Sequence, residues 1–235
     1  MNILLTDQEG RLGRSEDRKE AMHRLIVYTS LTSPYGRAVR VCLKERGVGH
    51  ELIPLTREER AMDVNLVRNP FAKIPVLDHD GFILYETQAI VRYVEHVFPG
   101  ESLIPEDPRL EAKMNQAIGI IDAYFFNQVS SPIAGERIGA KLFGTMPDED
   151  KIKAHLPKAR RCMAALDTVL GDNVFMADDR FGLADVFVAP HLGIFELTPE
   201  GKAMLPEFPR LQRWLAVVRQ RDSFRNTEPP VESIG

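Results

Sequence analysis

The spacing of apolar and polar residues changes near residue 100 and divides the chain into two parts. Between residues 25 and 98, short apolar runs alternate with stretches of helical spacing, which predicts the order strand, helix, strand, helix, strand, strand, helix. Beyond residue 108, apolar residues recur at helical spacing without a strand signal. The pattern therefore predicts an α/β unit followed by an all-helical bundle domain, a fold of the α/β plus all-α class.

The first strand-to-helix junction carries the clearest local signals. Residues 25–28 are apolar and β-branched, which predicts a buried strand. Ser33 then stands at the N-cap position of a helix and Pro34 at its first position, where the missing N–H costs nothing. A hydroxyl at a helix N-terminus also lies where the helix dipole stabilises an anion such as a thiolate. The pattern leaves capping and anion stabilisation both open for Ser33.

The α/β unit ends in a hairpin signal and a helical pattern. The dipeptide Asp80-Gly81 separates the apolar runs 76–78 and 82–85, which is typical of a β-hairpin. The helical pattern that follows has Thr87 as its expected N-cap. Two parallel strands joined by a helix, then an antiparallel hairpin and a covering helix, are predicted to share one sheet.

Composition marks the boundaries of the predicted parts. The first residues are polar, carry charges of both signs and lack the apolar core of a signal peptide, and Met22 suggests an alternative start. A proline-rich stretch separates the two units. The predicted parts are an N-terminal extension over residues 1–23, the α/β domain over 24–100, a linker over 101–107, the helical domain over 108–225 and a C-terminal tail over 226–235.

Charge and residue usage narrow the expected partners. The 235-residue chain has a formal net charge of −4, which gives no reason to expect nucleic acid or a membrane as a partner. No apolar run approaches the roughly 18 residues that span a bilayer. Cys42 and Cys162 both fall in helical patterns and are expected to be reduced core thiols of a cytoplasmic protein. The six histidines are scattered without ligand spacing, and no metal site is predicted.

Three motifs in this order carry a family resemblance. They are SPYGRAVR at residues 33–40, KIPVL at 73–77 and ETQAI at 86–90, and helices follow them. This arrangement, from residue 25 to about 225, resembles the cytosolic glutathione transferases. It looks closest to the serine-type classes, theta-like and tau-like, and to their bacterial relatives. The resemblance implies a thioredoxin-like glutathione-binding domain, a helical domain, glutathione as co-substrate and a homodimer.

The resemblance implies that Ser33 is the catalytic residue. Glutathione attacks as a thiolate, and an unperturbed thiol has a pKa of roughly 8.5. One charge-assisted hydrogen bond of roughly 1.5–3 kcal/mol lowers that pKa by about one to two units. A serine where the related omega class has a cysteine argues against a redox enzyme. The alternative hydroxyl donors are Ser30, Thr32, Tyr28 and Tyr35.

Two further motifs match contacts with glutathione. Pro75 matches a cis-proline that exposes the backbone of Ile74 for pairing with the cysteinyl part; on pattern alone it only opens a strand. Lys73 is expected to neutralise the glycine carboxylate, with Arg60 as the alternative.

Glu86 and Thr87 match an acid–serine pair that holds the γ-glutamyl end. The acid accepts from the ammonium, while the hydroxyl and the helix N-terminus take the carboxylate. On pattern alone the two residues are an acid before a helix cap. The expected apolar wall for the electrophile consists of Tyr35, Tyr124, Phe125 and Phe126. Core packing is the alternative for these aromatic residues.

Two matches concern architecture. Phe71 falls where some classes place an aromatic residue that plugs the partner subunit, and an ordinary core phenylalanine is the alternative. Residues 182–185 resemble the family's capping box in the helical domain. Gly182 replaces the usual hydroxyl residue, but the carboxylate of Asp185 can still reach back to the backbone.

The leading functional interpretation is an enzyme that adds the sulfur of glutathione to a small apolar electrophile bound between the domains. Glutathione-dependent isomerisation, dehalogenation or peroxide reduction would use the same thiolate. A non-catalytic glutathione-binding or interaction module is the alternative from another class, and it has no need to retain Ser33, Pro75 and Glu86 together.

Overall fold

A four-stranded mixed sheet forms the centre of the N-terminal half. The computed structural model describes residues 24–230, so the expected N-terminal extension, the suggested start at Met22 and the last residues of the tail lie outside the described residues. The strands are β1 (Leu25–Thr29), β2 (Glu51–Pro54), β3 (Val76–His79) and β4 (Phe82–Tyr85), in the spatial order β2-β1-β3-β4. β1 pairs in parallel with β2 and antiparallel with β3, and β3 pairs antiparallel with β4. The predicted order of strands along the chain, the parallel pair and the antiparallel hairpin are confirmed.

Four helices accompany the sheet. They are α1 (Pro34–Glu45), α2 (Arg57–Arg60), α3 (Asp63–Leu66) and α4 (Thr87–Val97). α1 connects the parallel strands β1 and β2, and Gly47 follows it with a φ of 67° that suits glycine. The charged stretch after β2, whose pattern is weak, folds as the two short helices α2 and α3.

Both faces of the sheet are covered, which explains why every residue of β1 is buried. On one face, Val27 and Leu77 join the main core beside buried residues of α1 and α4. On the other face, Ile26, Tyr28 and Val76 form a smaller cluster. The sheet is therefore a fixed platform for the loops at its edges.

The C-terminal half is helical. Its elements are α5 (Pro108–Ile120), a π-helical segment (Ile121–Gly135), α6 (Glu136–Phe143), α7 (Glu149–Leu170), α8 (Leu183–Glu196), α9 (Pro199–Met204), a short 3₁₀ turn (Leu205–Glu207), α10 (Pro209–Val218) and α11 (Asp222–Arg225). Every residue of α8 from Leu183 to Phe195 is buried, so α8 is the central helix. A mixed sheet followed by a helical bundle confirms the predicted fold class.

Asp185 connects the start of α8 to its surroundings. Its carboxylate accepts from the backbone N–H of Gly182 at 2.9 Å, of Met176 at 2.7 Å, and from the indole of Trp214 at 2.6 Å. The expected reach of Asp185 back to the backbone is confirmed. Gly182 is needed because a Cβ there would lie 2.8 Å from the carbonyl oxygen of Leu103.

Two buried arginines join the halves of the chain. Arg46 donates to the carbonyl groups of Gly100 and Glu101 at 2.9 and 2.7 Å and holds the start of the linker against α1. Arg37 donates to the carbonyl of Phe224 at 2.9 Å, and its guanidinium lies 3.6 Å from the centre of that ring. The contacts of Arg37 fix α1, which begins at the candidate site, against α11 (Asp222–Arg225) at the end of the helical domain, and those of Arg46 fix α1 against the linker.

The two cysteines are free and buried, as expected. None of the helices within residues 24–230 is long and apolar enough to cross a membrane.

Candidate active site

A cavity of about 570 Å³ lies between the sheet domain and the π-helical segment. We call it the first cavity. Its lining residues are Tyr35, Asn69, Lys73, Ile74, Pro75, Glu86, Thr87, Gln88, Ala89, Asp122 and Phe126. The lining includes all six residues expected to bind substrate, although they come from three separate places in the chain. Ser33, the expected catalytic residue, is not among them.

The loop before β3 forms one wall of the first cavity. The peptide bond between Ile74 and Pro75 is cis. The buried amide of Asn69 donates to the carbonyl of Lys73 at 3.0 Å and accepts from the backbone N–H of Phe71 at 3.0 Å. Asn69 thus fixes the shape of the loop, a role that the sequence analysis missed because an Asn-Pro pair indicates only a turn.

The junction of β4 and α4 forms the opposite wall. Glu86 has a φ of 70°, which is costly for a residue with a side chain and is tolerated here at the entrance to a helix. The expected N-cap role of Thr87 is wrong, because α4 begins at Thr87 itself and Glu86 holds the cap position without a side-chain bond. The strained turn presents the exposed carboxylate of Glu86 and the first N–H groups of α4 to the cavity.

Ser33 caps α1. Its Oγ accepts from the backbone N–H of Gly36 at 3.1 Å, which confirms the capping interpretation. That bond uses a lone pair of the hydroxyl and leaves its proton to donate elsewhere. A Cβ on Gly36 would lie 1.8 Å from Oγ1 of Thr29, so only glycine lets the first turn of α1 approach β1 this closely.

The alternative hydroxyl donors are used differently. Oγ of Ser30 and Oγ1 of Thr32 lie 3.0 Å apart, and both residues line another cavity, described below. Tyr28 is buried in the sheet, with the guanidinium of Arg68 4.4 Å from the centre of its ring. The hydroxyl of Tyr35 donates to Oδ1 of Asp122 at 2.9 Å.

Asp122 connects the two domains at the floor of the first cavity. Its second oxygen accepts from the amide of Gln88 at 2.6 Å, at the start of α4. Burial, with the negative charge of Asp122, raises the pKa of Tyr35 far above its usual value, so the phenol stays protonated. The sequence analysis missed Asp122, since nothing near it in the chain indicates its partners, which are 87 and 34 residues away.

A second cavity, of about 580 Å³, adjoins the first, and Phe126 lines both. Its lining residues are Ser30, Thr32, Pro34, Leu55, Thr56, Arg57, Glu58, Arg60, Phe126, Ser130, Ser131, Ala134, Gly135, Ile138, Gly139, Leu142, Phe143 and Ile194. Arg60 lies here, whereas Lys73 lines the first cavity. In the chain, Ser33 lies between Thr32 and Pro34, which line the second cavity, and two residues before Tyr35, which lines the first.

Only two of the four aromatic residues expected at the apolar wall lie on a cavity. Tyr35 and Phe126 do, and their ring centres are 5.0 Å apart. Phe125 is fully buried in the core, and Tyr124 is 55% exposed and lines neither cavity. The expectation is wrong for Phe125 and Tyr124 because the wider π-helical turn changes which residues share a face.

A buried histidine lies beneath the site. The ring centre of His191 on α8 is 4.5 Å from the ring centre of Tyr35. Nδ1 of His191 lies 2.9 Å from Oγ of Ser130. No described residue bonds its Nε2. Burial lowers the pKa of His191 to about 3, so the ring is neutral.

Phe71 is 64% exposed, so the alternative of an ordinary core residue is wrong. Its ring contacts Tyr85 with 6.2 Å between ring centres. Residues 24–230 contain no group of three or more His, Cys, Asp or Glu residues arranged to hold a metal ion.

Comparisons with known proteins agree with this architecture. Residues 27–102 match the model described as "Glutathione S-transferase, N-terminal domain", and residues 149–216 match "Glutathione S-transferase, C-terminal domain". Together these matches span more than half of the chain. "Glutathione S-transferase F7" of Arabidopsis thaliana is 28% identical over 204 residues, which are 85% of this chain and 96% of that protein.

Solved structures show the same fold. Glutathione transferase F7 from Populus trichocarpa has a TM-score of 0.78 at 23% identity, covering 90% of this chain and 99% of that one. A glutathione S-transferase from Methylobacillus flagellatus KT, solved with GSH bound, has a TM-score of 0.72 at 28% identity, covering 88% of this chain and all of that one (100%).

Proposed function

This chain belongs to the glutathione S-transferase family, and we propose that it holds glutathione as a thiolate with the hydroxyl of Ser33 and transfers the sulfur to a small apolar electrophile. The observation that carries the proposal is the convergence on one cavity of residues from the Ile74–Pro75 loop, the Glu86–Thr87 turn and the start of α1. Each of these segments matches one part of glutathione.

The first cavity offers complementary groups for the tripeptide. The backbone of Ile74 pairs with the cysteinyl part, as one added strand residue would. Lys73 neutralises the glycine carboxylate. At the other end, Glu86 accepts from the γ-glutamyl ammonium, and Thr87 with the first N–H groups of α4 binds the γ-glutamyl carboxylate.

The sulfur then lies at the boundary of the two cavities. Two observations support this position: Thr32 and Pro34, on either side of Ser33 in the chain, line the second cavity, and Tyr35, two residues later, lines the first. The hydroxyl proton of Ser33 is free, because the cap to Gly36 uses only a lone pair. A hydrogen bond to the thiolate and the N-terminus of α1 both favour the anion and lower the thiol pKa.

Tyr35 is a weaker candidate for this task. Its proton is donated to Asp122, and a negative carboxylate beside it disfavours a second anion nearby. Ser30 and Thr32 lie close enough to bond each other, so one of their two protons is engaged.

The chemistry needs no external oxidant or reductant. The thiolate sulfur donates an electron pair to the electrophilic carbon and forms a C–S bond. Either a leaving group departs from that carbon with its bonding pair, or an activated double bond is saturated and takes a proton from water. The second cavity, whose wall is largely apolar, receives the electrophile.

We further propose that the protein works as a homodimer. Phe71 is 64% exposed at the edge of the first cavity's loop, and Val64 and Val67 before it are 58% and 87% exposed. Large apolar side chains exposed in this number indicate a surface that a partner covers.

A thiolate titration tests the proposal. Ultraviolet thiolate absorbance of bound glutathione, followed across pH, is expected to give a pKa well below that of the free thiol. Ser33→Ala is expected to raise the pKa of the bound thiol by about one to two units with little change in glutathione affinity. Ser33→Thr keeps the hydroxyl and is expected to restore the low value. If the pKa of the bound thiol stays low in Ser33→Ala, Ser33 acts only as a helix cap and does not stabilise the thiolate. Tight binding with an unshifted thiol indicates a binding module.

A further inference from the structure

We propose that the hydroxyl of Ser130 donates a hydrogen bond to an oxygen of the electrophile in the second cavity, and that His191 orients this hydroxyl. Such a donor favours α,β-unsaturated ketones, called enones below, in which the reactive carbon is conjugated to a carbonyl group. The inference rests on the proposed transferase function. It adds Ser130 as a second catalytic residue, His191 as a positioning residue and a class of second substrate.

Ser130 and His191 form a buried pair beside the proposed position of the sulfur. Oγ of Ser130 lies 2.9 Å from Nδ1 of His191, and Ser130, at 6% exposure, lines the second cavity. The ring of His191 packs edge-on against those of Tyr35 and Phe126, with 4.5 and 6.2 Å between ring centres. Phe126 lines both cavities, and Tyr35 follows Ser33 by two residues. The pair therefore lies on the side of the second cavity that adjoins the first.

The unpartnered Nε2 of His191 decides which member of the pair donates. Nε2 is excluded from solvent, and no described residue bonds it. The ring is neutral, because burial lowers the pKa of His191 to about 3, so it carries a single N–H. A buried N–H without an acceptor costs more than a buried lone pair without a donor. We therefore assign the proton to Nδ1, which donates to Oγ of Ser130.

This assignment leaves the hydroxyl proton of Ser130 unused. Oγ accepts from His191, and the side chain of Ser130 forms no other hydrogen bond within residues 24–230. By contrast, Thr168 donates its hydroxyl proton to the carbonyl of Ala164 in its own helix. A serine hydroxyl that accepts one hydrogen bond can still donate another. The proton of Ser130 is thus available to an acceptor in the second cavity.

The other hydroxyl groups on this cavity are less suited to the task. Oγ of Ser30 and Oγ1 of Thr32 lie 3.0 Å apart, close enough to bond each other. Thr56 and Ser131 are exposed, so water competes for their protons. Of the described residues with a hydroxyl on this cavity, Ser130 alone combines burial, a fixed oxygen and an unused proton.

Conjugate addition to an enone uses such a donor. The thiolate sulfur gives an electron pair to the β-carbon, and a C–S bond forms. The π pair of the double bond moves toward the carbonyl group, whose oxygen takes the negative charge of an enolate. The hydroxyl of Ser130 stabilises this oxygen, and the α-carbon then takes a proton from water. No leaving group departs and no oxidant or reductant takes part.

The ratio of two conjugation activities tests Ser130. Glutathione is conjugated to benzylideneacetone, an enone, and to benzyl chloride, which has no oxygen and reacts by displacement of chloride. Ser130→Ala is expected to lower the ratio of the two kcat/KM values, enone over chloride, about 10- to 100-fold, because only the enone loses a hydrogen bond to a developing anion. A general loss of folded enzyme cancels in this ratio. Ser131→Ala removes the neighbouring hydroxyl of the same cavity and is the matched control, with no change expected.

Nitrogen-15 NMR of the imidazole rings tests the role of His191 in the full chain. The protonated and unprotonated nitrogens of a neutral histidine have different chemical shifts, and the spectrum of His191→Phe identifies the signals of His191 among the six histidines. A proton on Nδ1 is expected. A proton on Nε2 overturns the inference, because Ser130 then donates to Nδ1 and has no proton for the electrophile.

The kinetic outcomes separate this inference from the proposed function. An unchanged ratio in Ser130→Ala, or an equal fall in Ser131→Ala, overturns the inference while the wild type still conjugates benzyl chloride. A wild type that conjugates benzyl chloride but not benzylideneacetone also overturns it. Failure of the wild type to conjugate any electrophile contradicts the proposed function itself.

Discussion

The hydroxyl of Tyr35 donates to the carboxylate of Asp122 at 2.9 Å and joins the first turn of α1 to the π-helical segment of the second domain. The same carboxylate accepts from Gln88 at the start of α4. One acidic side chain therefore fixes the relative positions of two helix N-termini that line the first cavity.

Tyr35→Phe is expected to leave the pKa of bound glutathione unchanged, because the phenol donates to Asp122 and not to the thiol. Loss of this hydrogen bond is expected to lower the free energy of unfolding by about 1 kcal/mol. Urea denaturation measures the stability, and thiolate absorbance measures the pKa. A thiol pKa that rises as far in Tyr35→Phe as in Ser33→Ala would make Tyr35 the thiolate donor.

The parts of the site that the sequence predicts are those with local signals. Ser33 and Pro34 indicate a helix start, and Asp80-Gly81 indicates a hairpin, because each signal lies within a few residues of the structure that it forms. Pro75 and Glu86 are different, because only the family resemblance indicates their roles, while the local pattern gives a strand entry and an acid before a helix. Local signals of this kind predict the start of α1 and the β3–β4 hairpin.

Most of what the sequence analysis missed depends on distant contacts. Asp122 and His191 are ordinary polar residues in their own segments, and their roles arise from packing across the fold. Asn69 differs, because its bonds reach only Phe71 and Lys73, and an Asn-Pro pair by itself indicates no more than a turn. Phe125 and Phe126 are neighbours with different environments, one in the core and one on both cavities. A helical period of 3.6 residues does not predict this division in a π-helical segment.

Glu86→Gln is expected to raise the KM for glutathione about tenfold and to change kcat much less, because the proposed partner of the lost charge is the γ-glutamyl ammonium and not the sulfur. Glutamine keeps the length of the side chain and the strained backbone at φ 70°. Steady-state kinetics with varied glutathione measures both constants. Glu106→Gln, in the exposed linker, is the control. An unchanged KM in Glu86→Gln removes Glu86 from the binding site.

Phe71→Ala is expected to shift the protein from dimer toward monomer, because removal of an exposed aromatic side chain weakens an apolar interface. Sedimentation velocity across a range of protein concentrations measures the shift. Val174→Ala removes apolar surface from a residue that is 48% exposed elsewhere, and it is expected to leave the oligomeric state unchanged. A monomeric wild type, or equal behaviour of the two variants, contradicts the role of Phe71.

His191 is expected to make the folded protein sensitive to acid. Burial lowers its pKa from 6.5 to about 3, so between these values the unfolded chain binds one more proton than the folded protein. The free energy of unfolding therefore rises with pH across this window and is lost as the pH falls through it. At about pH 4.5 the loss from this one residue is about 2–3 kcal/mol relative to pH 6.5.

Urea denaturation of the wild type and His191→Phe at the two pH values isolates this contribution. Carboxylates also titrate in the acid range, but they do so in both proteins, so the difference between the proteins reports His191. In the variant, Ser130 loses its bond to Nδ1 at both pH values, which lowers stability equally at both. The stability lost on acidification is expected to be about 2–3 kcal/mol smaller in His191→Phe. Equal losses in the two proteins would mean that His191 accepts a proton in the folded state near its ordinary pKa, and the aromatic contacts with Tyr35 would then surround a cation rather than a neutral ring.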